Sequence, residues 1–156
     1  DGTITAGNAC PLNDGAAAVV VMSDAKAKEL GLTPLARIVA TGVSGLSPEI
    51  MGLGPIEAVR KALGYAKMSV SDIDLFEINE AFAVQVLGSA RELGIDEDKL
   101  NVSGGAIALG HPFGMTGARI TATLLNNLAT HDKTFGIETM CVGGGQGMAM
   151  VIERLS

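Results

Sequence analysis

"FGIETMCVGGGQGMAMVIERL", Phe135 to Leu155, holds two apolar runs of strand length joined by a cluster of glycines. β-branched and other apolar residues on both sides of a Gly-rich bend read as two antiparallel strands joined by a short turn. The chain therefore closes on a hairpin. Only Val142 separates Cys141 from Gly143, Gly144 and Gly145. A thiol in that place is either a small buried residue before a turn or a reactive group beside backbone N–H groups that glycine leaves free to face an anion. A free cysteine titrates at about 8.5, so it can serve as a proton donor or, beside a cation, as a thiolate.

Moving outward from the hairpin, "NVSGGAIALGHPFGMTGARITATLLNNLATH" reads as a Gly-rich loop and then a helix over residues 114–130. "SVSDIDLFEI" contains a short buried strand, Leu75 to Ile78. "NEAFAVQVLGSARELG" follows as an amphipathic helix, with Phe82, Val86 and Leu93 at helical spacing. Further upstream lie a helix from Ile56 to Ala66, opened by Pro55, and a strand region in "TPLARIVATGVSG". A short helix in "DAKAKELG" is capped by Ser23 or Asp24 and stopped at Gly31. "AAAVVVM", Ala16 to Met22, suits a buried strand. Strands alternate with helices until the final hairpin, which predicts an α/β layer structure with a mixed sheet packed by helices. In such sheets the chemistry sits in loops beyond the strand ends. Three loops qualify here: 79–82, 104–117 and 141–147.

Composition narrows the function classes. The 156 residues are 47% hydrophobic and 18% charged, against about 25% charged in an ordinary soluble domain. A net charge of −6 and the lack of any Lys/Arg run argue against nucleic-acid binding. No apolar run approaches the ~18 residues of a membrane helix, and no signal peptide is visible. Cys10, Cys141, His111 and His131 match no zinc-ligand spacing, so no metal is expected. Two distant cysteines make no disulfide framework, which points to a reducing, cytoplasmic setting.

Each loop carries a candidate residue with a plain structural alternative beside it. In "GGAIALGHPFGMTGAR", Pro112 restrains His111 to an extended conformation and so holds it out of the following helix. A fixed imidazole ahead of a helix N-terminus is a catalytic candidate; otherwise it is a structural hydrogen-bonding histidine. Neither a Walker lysine nor a GxGxxG after a strand is present, so no phosphate loop is predicted. In "NEAFA", Asn79 is a good N-cap and Glu80 suits the first turn of a helix. The functional alternative is an amide holding a water or a substrate oxygen at a strand end. Cys10, in the turn-rich "GNACPLNDG", reads as a bystander, and the "NVS" sequon at Asn101 to Ser103 as a chance match.

Together and in this order, "NEAFA", "NVSGGAIALGHPFGMTGAR" and "CVGGGQGMAM" resemble the three C-terminal active-site blocks of the thiolases. "TAGNACPLNDGAAAVVVMS" is similar to the block that ends that family's N-terminal domain. The resemblance implies a thiolase-like fold, with residues 1–33 ending the N-terminal domain and 34–156 forming the C-terminal one. It also implies cleavage of a 3-ketoacyl-CoA by CoA, or the reverse Claisen condensation, in fatty-acid and lipid metabolism. Coenzyme A and acyl-CoA would be substrates, and no cofactor would be tightly bound. By the same resemblance His111 activates a nucleophilic cysteine and donates to the enolate oxyanion hole, Asn79 holds the water that completes it, and Cys141 is the acid/base at the acetyl-CoA α-carbon. Gly143 would offer its N–H to the tetrahedral intermediate. Met51, Ala81, Phe82 and Cys10 would contact CoA, Cys10 where the family commonly has Ser.

The family's nucleophilic cysteine belongs to a block of the N-terminal half with no counterpart in this chain, so the 156-residue chain is expected to be inactive alone. Its expected partners are the missing N-terminal half and further copies, as a homodimer or homotetramer. Two other readings stay open: a non-catalytic acyl-CoA or lipid-binding module, and a Cys–His thioester hydrolase built on Cys141 and His111.

Overall fold

The computed structural model describes residues 2–156; Asp1, first residue of the expected N-terminal segment, lies outside them. The ordered elements are α1 (Asp24–Glu29), β1 (Ala36–Gly45), α2 (Gly54–Ala66), β2 (Leu75–Ile78), α3 (Ala83–Leu93), α4 (Ala106–Leu109), α5 (Phe113–Thr130), β3 (Phe135–Val142) and β4 (Gln146–Arg154). A 3-10 segment, Pro48–Leu53, leads into α2.

Four strands form one mixed sheet in the order β1-β4-β3-β2. β3 and β4 pair antiparallel from Phe135↔Glu153 to Val142↔Gln146, which is the hairpin the glycines predicted. β1 adds antiparallel to β4, with a register shift between Ile38 and Ala40. β2 runs parallel to β3, Leu75 opposite Gly136 and Ile78 opposite Thr139. All four residues of β2 are buried, as expected for a strand covered on both faces.

Two apolar clusters hold helices on opposite faces. On one, Ala58, Val59, Ala62 and Leu63 of α2 and Val86 and Ala90 of α3 pack with Phe76, Ile78, Ile137, Ala149 and Val151. On the other, Leu124 and Leu128 of α5 pack with Leu75 and Ile152. Successive residues of a strand face opposite sides, which is why Leu75 and Phe76 belong to different clusters. Glycine sets the closest approaches: a Cβ on Gly42 would strike the backbone of Ala58 and Ala62, so α2 lies directly on β1. On the far face, a Cβ on Gly136 would meet Leu124 Cδ1 at 2.8 Å.

Three expectations need correction. Ala16–Met22 is not a buried strand: it forms no ladder and is exposed along its length. A strand needs a partner to hydrogen-bond to, and this segment pairs with neither edge strand of the sheet, β1 or β2. Asn79 does not cap a helix. α3 starts four residues later, with Phe82 in extended conformation at its N-cap, because residues 79–82 leave β2 as a separate loop. Glu80 consequently lies outside any helical first turn.

Candidate active site

The three loops singled out in the sequence meet at one end of the sheet. β2 and β3 are parallel, so Asn79, just past β2, and Cys141, near the end of β3, emerge at neighbouring strand ends. The backbone N–H of Asn79 donates to Thr139 O at 2.9 Å. α5 brings His111 to the same end. Leu124 sits by Gly136 near the start of β3, and a Cβ on Gly117 would touch Met140 at 3.4 Å near its finish. The helix thus runs against β3, with its N-terminus above the strand ends.

Asn79 is 0% exposed, and neither its amide nitrogen nor its amide oxygen has a partner among the described residues. A buried amide with two unsatisfied polar atoms costs several kcal/mol, about 1–3 for each group, so it is open to a water or a ligand atom; the amide of Gln85 is unpartnered in the same way. Glu80 anchors the loop. Its Oε2 accepts from Ile107 N–H at 3.0 Å and its Oε1 from Asn101 Nδ2 at 3.0 Å. Asn101, in the left-handed region at φ 46°, accepts from Ile78 N–H at 2.8 Å and donates to Ile78 O at 2.9 Å. It acts as a surrogate neighbour for the outer edge of β2, and its amide is committed to that edge.

His111 is half-buried in the turn between α4 and α5. Gly110, at φ 96°, precedes it, in a conformation that favours glycine. Its Nδ1 lies 2.6 Å from Thr116 Oγ1, and the ring of Phe113 meets it edge-on at 5.0 Å. Burial, and then the Arg119 guanidinium, push the imidazole below its usual range, which favours the neutral ring. Cys141 is 6% exposed. Burial pushes its thiol up, partly offset by a backbone hydrogen bond and reinforced by Cys10, so Cys141 rests as a thiol.

The glycines after Cys141 divide into two kinds. Gly143 has nothing within 4 Å of where a Cβ would stand, so that side of the turn is open. Gly145 and Gly147 are packed backbone to backbone: a Cβ on Gly145 would strike Leu46 O, and one on Gly147 would strike Gly54. Leu46 N–H donates to Gly145 O at 2.9 Å. The Gly run therefore seats the hairpin against the Leu46–Gly54 segment as well as exposing one backbone stretch.

Among the residues expected to contact CoA, Ala81 is buried, Phe82 is 37% exposed, and Met51 and Cys10 are half-buried. Cys10 belongs with the 79–82 loop, donating its N–H to Ala81 O at 3.1 Å, while Ala83 N–H donates to Asn8 O at 2.9 Å. The same strap continues over the histidine loop. Asn13 Nδ2 donates to Leu109 O at 3.3 Å, and a Cβ on Gly15 would touch Pro112 and Met115 at 2.8 Å. Met51 lies apart, on the Pro48–Leu53 segment packed against α3. Glu80, Asn101, Asn13 and Thr116 were not legible as site-builders, because each acts through a partner distant in the chain or through a turn the sequence does not reveal. The "NVSGG" turn signal was the only local hint of Asn101. Among the described residues no group of three His, Cys, Asp or Glu side chains could hold a metal ion, and no helix is long and apolar enough to cross a membrane.

A buried acidic pair lies on β2 and β3 under α5. Glu77 and Glu138 are neighbours across the β2–β3 ladder, and Arg119 of α5 reaches Glu77 at 3.2 Å. Burial pushes Glu77 up to about 7 despite Arg119, and burial with the neighbouring Glu77 carries Glu138 to about 8.

Residues 32–154 match the family model described as "Thiolase, C-terminal domain", and residues 1–25 match "Thiolase, N-terminal domain". The chain belongs to the thiolase family. It is 57% identical over 155 residues to an acetyl-CoA acetyltransferase of Escherichia coli (strain K12), covering 99% of this chain and 39% of that protein. A crystal structure of the Bacillus anthracis acetyl-CoA acetyltransferase superposes with a TM-score of 0.95 at 54% identity, over 98% of this chain and 39% of that one. Human mitochondrial 3-ketoacyl-CoA thiolase in complex with CoA superposes at 0.93 and 48% identity, over 100% and 40%. The chain thus spans about two fifths of the length of the relatives it matches.

Proposed function

We propose that this chain is the C-terminal part of an acyl-CoA thiolase, the division between its two domains falling near residue 33. The whole protein transfers an acyl group to CoA by cleaving a 3-ketoacyl-CoA, or runs the condensation in reverse. The observation that carries this reading is the buried, unpartnered amide of Asn79 at the strand end next to that of Cys141. An enolate thioester oxygen needs neutral hydrogen-bond donors held in a water-poor site, and an amide kept free of protein partners supplies one, directly or through water. Cys141, kept as a thiol by burial, protonates the departing α-carbon or, after losing its proton, abstracts one. His111 activates the nucleophilic cysteine, which this chain does not supply. Gly143, open on its outer side, offers its N–H to the tetrahedral intermediate. Ala81, Phe82, Cys10 and Met51 line the approach of CoA, and the whole enzyme works as a dimer or tetramer.

The raised Cys141 thiol disfavours the Cys–His hydrolase, which needs a thiolate there at neutral pH. A pure acyl-CoA binder has no use for an unsatisfied buried amide beside a protonated thiol. The test is α-proton exchange of acetyl-CoA in deuterated water, with the thiolase that carries this chain. Cys141→Ala should slow exchange and turnover by about 10²–10⁴-fold, the usual worth of a general acid/base, while acylation of the upstream cysteine by acetyl-CoA persists. Undiminished exchange in that variant would remove Cys141 from the role. Thiolytic turnover by the 156-residue chain alone would show that no upstream nucleophile is required.

A further inference from the structure

Thr116, fully buried in the first turn of α5, has a hydroxyl with two neighbours. Its Oγ1 lies 2.6 Å from His111 Nδ1 and donates to Pro112 O at 3.1 Å. The hydroxyl has one hydrogen to place between these two neighbours, and Pro112 O, which also accepts from Met115 N–H at 2.9 Å and Thr116 N–H at 3.1 Å, is the i−4 carbonyl to which a helical Thr commonly gives it. With the hydrogen on that side, Oγ1 turns its lone pairs toward the imidazole and Nδ1 is the donor. We propose that Thr116 is a positioning residue that fixes His111 as the Nδ1–H tautomer, leaving the Nε2 lone pair as its proton-accepting face.

The choice of a hydroxyl matters. A carboxylate at Nδ1 would fix the same tautomer, but its charge would also favour the imidazolium. Thr116 orients the ring without adding charge. With Phe113 edge-on to the ring, the imidazole is held both in plane and in tautomer. The proton transfer this permits is simple to balance. A thiol S–H bond breaks, its proton forms an N–H bond at Nε2, and the electron pair stays on sulfur. The Nδ1–H bond to Thr116 is kept in both charge states, so the ring need not turn before the new Nε2–H donates to a developing oxyanion. Only the identity of that thiol, the upstream cysteine, rests on the thiolase reading; the tautomer does not.

Long-range proton–nitrogen correlation spectra of the ¹⁵N-labelled full chain, at a pH where the ring is neutral, read the tautomer directly. His131→Gln assigns the two histidines. The wild type and Thr116→Ser should show the Nδ1–H form. Thr116→Val, of nearly the same shape but unable to accept, should lower the ratio of Nδ1–H to Nε2–H by about fivefold or more, the worth of one ordinary hydrogen bond. A wild-type His111 in the Nε2–H form overturns the proposal, as does a Val variant with an unchanged ratio. If the Val variant does not fold, the wild-type and Ser spectra decide alone. An Nδ1–H spectrum from the full-length protein together with an absence of thiolysis by that same protein would sink the functional reading and leave the Thr116 assignment standing.

Discussion

Glu80 Oε2 accepts the backbone N–H of Ile107 at 3.0 Å, joining the loop after β2 to the segment that delivers His111. Its other oxygen accepts from Asn101 Nδ2, so both partners are donors. Gln at this position has one acceptor and one NH₂, and it would set donor against donor at one of the two contacts. Glu80→Ala should therefore cost about 2 kcal/mol, the range of a hydrogen bond to a charged group. Glu80→Gln should recover little of that loss. Urea unfolding gives the cost, and faster hydrogen exchange at the Ile107 amide would place it in this bridge.

Substituting the glycines of the hairpin should separate packing from openness. Gly147→Ala forces a methyl into the Gly54 backbone, which cannot retreat without moving α2, and should cost about 3 kcal/mol as overpacking of a tight contact. Gly143→Ala meets nothing within 4 Å and should change stability by less than about 0.5 kcal/mol. Thermal melts of the two variants side by side check the contrast; equal losses would mean the turn is seated differently.

Stability should fall as pH rises through the neutral range because of Glu77 and Glu138. In the unfolded chain both titrate near the ordinary 4.5, whereas in the folded chain they hold their protons up to about 7 and about 8. Between these limits the folded state binds more protons, so the unfolding free energy declines with increasing pH. The contribution is fully present below about pH 4.5 and gone above about 8. Glu138→Gln, which removes the charge with little change of shape, should flatten that slope and raise stability at pH 8. Urea midpoints at pH 5 and pH 8 measure both effects.

The exposed apolar run Val19, Val20 and Val21 should behave differently in this chain and in the longer protein proposed to contain it. In the 156-residue chain, Val20→Lys touches no packed surface, so it should shift stability by less than about 0.5 kcal/mol and reduce self-association. If the missing half supplies a sheet for this segment, the same substitution there buries a charge and should cost several-fold more, about 3 kcal/mol. Light scattering and melting of both forms distinguish the two situations.

Elements whose apolar periodicity matched their burial were legible in the sequence. The 135–155 hairpin, β2 at Leu75–Ile78 and the α2 and α5 helices fall where period and turn chemistry placed them, because alternation and helical spacing are local properties of the chain. So was the family, since its motifs are contiguous. The sequence alone did not show that Asn79 leaves the strand unpartnered, as its N-cap propensity is local and its burial is not. Nor did it show that Gly145 and Gly147 face another backbone, that Glu80 bridges to Ile107, or that the Thr116 hydroxyl lies against His111 Nδ1. Ala16–Met22 has strand chemistry and no strand, because a ladder requires a neighbour that composition cannot supply. Propensity and period decided which segments could form; only the packing of distant segments decided which polar groups were satisfied and which were left free for chemistry.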